Sequence, residues 1–122
     1  MDNSLEDRDY SEMSPLELML SAIRKWIEQV QNIDSACKLI QAILPTMEDD
    51  HRTVLELRFG ITTGRKITLE ETGRRMNLGT GAKARKRAEN TETRALRILA
   101  HRFNLIRKIL KKLGDSITHD PV

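Results

Sequence analysis

Residues 68–99 read TLEETGRRMNLGTGAKARKRAENTETRALRIL, and this stretch decides the fold. Thr68-Leu69-Glu70-Glu71 has the form of a capping box, with Thr68 as the N-cap and Glu71 closing back on it three residues later. The helix it opens is expected to end near Met76. Beyond it, Asn77-Leu78-Gly79-Thr80-Gly81 puts two glycines within three residues, which disfavours a helix interior. From Ala82 onward no Gly or Pro occurs until Gly114, leaving room for one long helix or two abutting ones. A short helix, a turn and a basic helix is the layout of a helix-turn-helix, here about residues 68–97. In that motif the first helix packs across the second, and the second offers its N-terminal half to the major groove of duplex DNA. The geometry needs a small residue at the crossing, apolar residues around the turn and hydrogen-bond donors on the outer face. Gly73 supplies the first, Leu69, Met76 and Leu78 the second, and Lys83, Arg85, Lys86, Arg87 and Asn90 the third.

The segments on either side are helical as well. Ser14-Pro15-Leu16-Glu17 combines a Ser cap, Pro at the first helical position and Glu three residues after the cap. Leu16, Met19, Leu20, Ile23, Trp26, Ile27 and Val30 then follow the spacing of one buried stripe, predicting a single helix as far as Val30. Asp34 is placed to cap a second helix through Leu44, with Ala36, Cys37, Ile40, Ile43 and Leu44 inward, and Pro45 ends it. A third helix is expected from about Asp49 to Arg58, with Gly60 as its left-handed terminator. Within the long basic segment the inner stripe is small at Ala84, Ala88, Thr91 and Ala95. It becomes large at Leu96, Leu99, Phe103, Ile106, Leu110 and Leu113, in near-heptad order. That second stripe needs a partner, either the Trp26 helix or a second copy meeting it through Leu96, Leu99, Phe103, Ile106 and Leu110. The expectation is an all-α fold: a disordered acidic stretch over 1–13, one helical domain over 14–114 with a long amphipathic C-terminal helix, and a flexible tail over 115–122.

The chain has 122 residues, of which 39% are hydrophobic and 32% charged. That balance suits one modest domain and argues against wholesale disorder. Tyr10, Trp26, Phe59 and Phe103 are its aromatic residues, too few for a module that stacks bases on exposed rings. One cysteine, Cys37, excludes an internal disulfide, and no apolar run is long enough to span a bilayer. A cytoplasmic protein is expected. The net charge of +3 conceals a separation: residues 1–57 sum to −7 and residues 58–113 to +12. A basic half of that density attracts and orients a polyanion.

Catalysis finds little support. His51, His101 and His119 do not stand at ligand spacing from one another, from Cys37 or from paired carboxylates, so no metal site and no cofactor is expected. Asp49-Asp50-His51 reads as a helix start with dipole-favoured charges. Cys37 on an apolar stripe reads as core. The chain is not expected to be an enzyme.

Three stretches carry a specific likeness. VLELRFGI (Val54–Ile61), six residues, and TLEETGRRMNL (Thr68–Leu78) resemble region 4 of the sigma-70 family of bacterial transcription initiation factors. ETRALRIL (Glu92–Leu99) resembles the end of that family's recognition helix. The resemblance covers about residues 46–99. It implies a four-helix domain whose last two helices bind the −35 promoter element, while the earlier pair and the end of the recognition helix grip the flap of the RNA polymerase β subunit. It assigns Thr68 and Arg58 to the DNA backbone and puts Arg85, Lys86, Arg87 and Asn90 on the groove-facing positions. Lys83 joins them as an exposed donor. Arg85 is suited to bidentate reading of a guanine, and Asn90 to an adenine edge or a phosphate.

This chain departs from the family at three places. The turn after Leu78 is about five residues longer, Lys86 stands where the family usually has Glu, and Ala88 and Thr91 replace buried isoleucines. An aromatic-rich region for melting a promoter is missing, so the implied protein is a stand-alone regulator of phage or mobile-element type, partnering RNA polymerase and double-stranded promoter DNA. Two alternatives stay open: a dimeric helix-turn-helix regulator independent of polymerase, and a protein-interaction module that has lost DNA binding.

Overall fold

A computed structural model describes residues 13–118. Most of the acidic stretch expected to be disordered, and the end of the expected tail, lie outside the described residues. Met13, placed by sequence in the unstructured start, is buried in the core. The described chain is all-α, with α1 at Pro15–Ile23, α2 at Ile33–Ile43, α3 at Asp49–Phe59, α4 at Leu69–Arg75 and α5 at Gly81–Thr118. No helix among the described residues is long and apolar enough to cross a membrane.

Ser14 opens α1 with a complete capping box: its side chain accepts from the Glu17 N–H, and its own N–H donates to Glu17. The apolar spacing through Val30 predicts more helix than forms. After Ile23 the chain makes one 3-10 turn, Arg24–Trp26, and Ile27 is extended. The cause is tertiary. Asn104 of α5 donates to the Trp26 carbonyl at 2.9 Å, and Arg107 donates to the Glu28 and Gln29 carbonyls at 3.2 Å each. These acceptors are drawn sideways to α5, and a continuing helix would have directed them along its own axis. The cap of α2 also differs from expectation. Asn32, not Asp34, accepts from the Ser35 N–H at 2.9 Å, while Asp34 lies in the first turn paired with Lys38. Gly60 ends α3 with φ +76, as its position predicts.

The core is a single cluster at the junction of α1, α2, α3 and the middle of α5. Met19, Leu20, Ile23, Ile40, Ile43, Val54 and Leu55 meet Leu99 and Phe103 there, all essentially without exposure, and buried Leu96 packs beside them. α5 is one continuous helix of 38 residues, about 57 Å long at 1.5 Å per residue. This corrects the dimer surface read from the sequence. Leu96, Leu99 and Phe103 lie inside the chain's own core and Ile106 packs against it, because α1 and α2 lie across this half of α5. Only Leu110 of that set is exposed. Cys37 is buried.

α4 and α5 approach each other closely where Gly73 faces Ala84. A Cβ built on Gly73 would lie 2.4 Å from the Ala84 carbonyl oxygen and 2.9 Å from the Ala84 Cβ. Any side chain at 73 therefore pushes the two helices apart, and overpacking of this kind costs about 1–3 kcal/mol. Gly73→Ala should lower the urea midpoint accordingly. Gly114→Ala, where a Cβ meets nothing within 4 Å, should leave it unchanged or raise it by up to about 1 kcal/mol in stability through helix propensity.

Candidate nucleic-acid interface

α4 and the first turns of α5 form the helix-turn-helix, and each end of α4 is held. Thr68 caps α4 by accepting from the Glu71 N–H at 3.2 Å. Only half of the expected capping box is made, because the Glu71 carboxylate turns outward to Arg74 and Arg75. It accepts from Arg74 Nε at 2.9 Å, from Arg74 Nη2, and from Arg75 Nε at 3.1 Å. At the other end Asn77 takes a left-handed backbone, φ 59. The Asn77 N–H then reaches the Arg74 carbonyl at 3.1 Å and the Leu78 N–H reaches the Gly73 carbonyl at 2.8 Å, the bond pair of a Schellman motif. An asparagine thus closes α4, and the two glycines serve the remainder of the turn, with φ 114 at Gly79 and 61 at Gly81.

The face of α5 toward α4 and α3 is made of Ala84, Ala88 and Ala95, all fully buried, with Thr91 partly buried between them. The small residues of this face permit the close approach of α4. Thr91 returns its hydroxyl to the Arg87 carbonyl at 2.9 Å. Lys83, Arg85, Lys86, Arg87 and Asn90 are all exposed. At 100° per residue, Lys86 and Asn90 point most directly away from the alanine face, and Lys83 and Arg85 flank them. Arg87 leans back toward the turn and donates to the Leu78 carbonyl at 3.1 Å, so it braces the loop that precedes its own helix. Thr68 is exposed at the start of α4.

Arg58 does not join the exposed set. Its guanidinium forms a short ion pair with Glu92 of α5 and donates to the Ile67 carbonyl at 2.6 Å. It ties α3, the segment entering α4, and α5 together two residues beyond Asn90. Arg74 and Arg75 were not singled out from the sequence, although the spacing of Glu71 to both is that of helical ion pairs. They lie exposed on α4 and add two cations beside the motif.

Two expected outcomes follow from these contacts. The Arg58 and Glu92 side chains are 26% and 20% exposed, so Arg58→Ala strands a partly buried carboxylate and a carbonyl. It should cost about 1–3 kcal/mol in denaturant unfolding, and Arg58→Ala with Glu92→Gln should recover part of that loss. Hydrogen bonds from Arg74 and Arg75 hold the Glu71 carboxyl at a pKa of about 2, down from 4.5. A carboxylate whose folded pKa is depressed contributes stability that is complete above pH 4.5 and is lost as pH falls through 2. Glu71→Gln should therefore lower the urea midpoint at pH 7, modestly because the carboxylate is partly exposed, and flatten its dependence on pH within that window.

Comparison with known proteins agrees with this geometry. Residues 43–101 match the family model described as Sigma-70, region 4. Over 62 residues the chain is 40% identical to the RNA polymerase sigma factor SigA of Listeria monocytogenes and 39% identical to the RNA polymerase sigma factor SigA1 of Synechococcus elongatus. Those alignments cover 51% of this chain and 15% and 14% of the length of the two relatives. No solved structure matches the chain. The capped short helix, the Gly73 crossing and the basic outer face of α5 all fall inside residues 43–101, the span that matches the sigma-70 region 4 model.

Proposed function

We propose that this protein is a transcription regulator that sets the N-terminal half of α5 in the major groove of promoter DNA and engages bacterial RNA polymerase through the β subunit flap. The observation that carries the reading is the exposed donor face of Lys83, Arg85, Lys86 and Asn90, held at a fixed angle by the contact of Gly73 with Ala84. A groove reader needs its donors on a helix whose rotation is set by the domain behind it. DNA-binding transcription regulation is supported by the family, whose region 4 is a helix-turn-helix. Engagement of polymerase is supported by the relatives, which are RNA polymerase sigma factors. Ile61, exposed just past α3, is an apolar residue suited to a protein contact in the segment that the family resemblance assigns to the flap. Arg85, Lys86 and Asn90 face the bases, Lys83 and the N-terminus of α4 at Thr68 meet the backbone, and Arg58 holds α5 in place. The dimeric alternative loses its main support, because Leu96, Leu99 and Phe103 are core.

Capture of core RNA polymerase by the tagged chain should depend on the flap tip, and a folded chain that captures none would refute the polymerase half. A reader neutralising about six phosphates loses on the order of a thousandfold in duplex affinity between 50 and 200 mM salt. An absence of measurable duplex affinity at 50 mM would refute the DNA half. Arg85→Ala should weaken the preferred site by about 1–3 kcal/mol relative to random duplex. Lys86→Glu should change the preferred base at one position, read by selection from a randomised duplex pool, since a carboxylate accepts from cytosine where an ammonium cannot.

A further inference from the structure

A groove of about 840 Å³ lies between the extended segment 27–32, α2 and the C-terminal half of α5, away from the helix-turn-helix. Trp26, Val30, Leu39, Phe103 and Leu110 give it an apolar lining. Its charged lining is one-sided: Lys25, Arg107, Lys108 and Lys111 stand against Glu28 alone. The wall is built, because Asn104 and Arg107 pin the carbonyls of Trp26, Glu28 and Gln29 to α5. An apolar trough with a cationic rim fits an extended or helical peptide that carries both carboxylates and a few apolar side chains.

A second copy meeting through this face is disfavoured by charge. Residues 105–114 carry Arg107, Lys108, Lys111 and Lys112 and no acid, so two such tails repel. Complementary chemistry is present in the chain itself. Residues 1–12, MDNSLEDRDYSE, hold Asp2, Glu6, Asp7, Asp9 and Glu12 against Arg8, with Leu5 and Tyr10 among them. The point of departure is also close. Ser14 lines a neighbouring cleft together with Gln31 and Asn32, and those two residues also line the groove. Twelve residues extend up to about 40 Å, ample to cross from one cleft to the next.

We propose that the groove is the docking site of this chain's own residues 1–12, with Leu5 and Tyr10 on the apolar lining and the carboxylates on the lysine and arginine rim. The docked segment neutralises the cations at the C-terminal half of α5. The N-terminal half then remains as the uncovered cationic surface, and a polyanion is directed to the helix-turn-helix.

Trp26 is the chain's single tryptophan and lines the groove, so its emission reports occupancy in the full-length protein. Asp7→Lys with Asp9→Lys should red-shift that emission by several nanometres, as should Lys108→Glu with Lys111→Glu. The four changes together restore the complementary signs and should return the emission toward that of the parent chain. Carbodiimide cross-linking of the parent chain, mapped by mass spectrometry, should join Asp7, Asp9 or Glu12 to Lys25, Lys108 or Lys111 several-fold more often than to Lys83 or Lys86, within single chains. Emission unchanged in both double variants, or cross-links spread evenly over all lysines, would overturn docking and leave the groove to a separate acidic partner. Cross-links found only between isotopically distinct copies would overturn it in favour of a second chain.

Discussion

The backbone of α4 touches the backbone of α5 where Gly73 faces Ala84, and the exposed cationic face of α5 depends on that contact. With no side chain at 73, the Ala84 carbonyl comes within 2.4 Å of where a Cβ would stand. Such an approach fixes both the crossing angle and the rotation of α5 about its axis, because interdigitated helices have few acceptable alternatives. The Schellman bonds from Asn77 and Leu78, the Arg87 brace on Leu78 and the Arg58–Glu92 pair then lock the turn and the far side of the same helix. The outward direction of Lys86 and Asn90 is a consequence of contacts made on the opposite face.

α5 also joins the two halves of the molecule. Its alanine face lets α4 come close, and one turn later Leu96, Leu99 and Phe103 need a thicker layer, which α1, α2 and α3 provide. A change in side-chain size along one stripe therefore assigns different partners to successive turns of a single helix. Burial of that stripe within the chain leaves the large apolar residues Leu105, Ile109, Leu110 and Leu113 exposed toward the end of the helix. Residues 105–114 are also free of acids, so the exposed apolar side chains share their surface with cations.

Capping and turn chemistry was legible where one local solution stands alone. Ser14, Thr68 and Gly60 act as their positions predict, since an N-cap or a left-handed terminator is decided within four residues. Reading was less complete where two local solutions compete. Asn32 and Asp34 both offer an oxygen at the start of α2, and Asn32 takes the cap. Glu71 could close back on the cap of α4 or pair with arginines, and two arginines at helical spacing prevail. Apart from Arg87, which leans back to the Leu78 carbonyl, the exposed donors of α5 were legible. The inward turn of Arg58 was not, because its partner Glu92 lies 34 residues away.

The sequence by itself determined the helical class, the place of the turn, the small residue at the crossing and the separation of charge between the two halves. All of these follow from spacing along the chain and from backbone preferences that operate over a single turn. Only the tertiary structure decided that α1 stops at Ile23 despite an unbroken apolar spacing, that Leu96, Leu99 and Phe103 of α5 face inward and not toward a second copy, and that Arg58 is a brace. Each of these depends on which distant group reaches an acceptor or an apolar face first. Asn104 and Arg107 claim carbonyls some 78 residues away, and α1 and α2 cover Leu99 and Phe103. Periodicity reports that a face will be buried, and the packed fold decides against what.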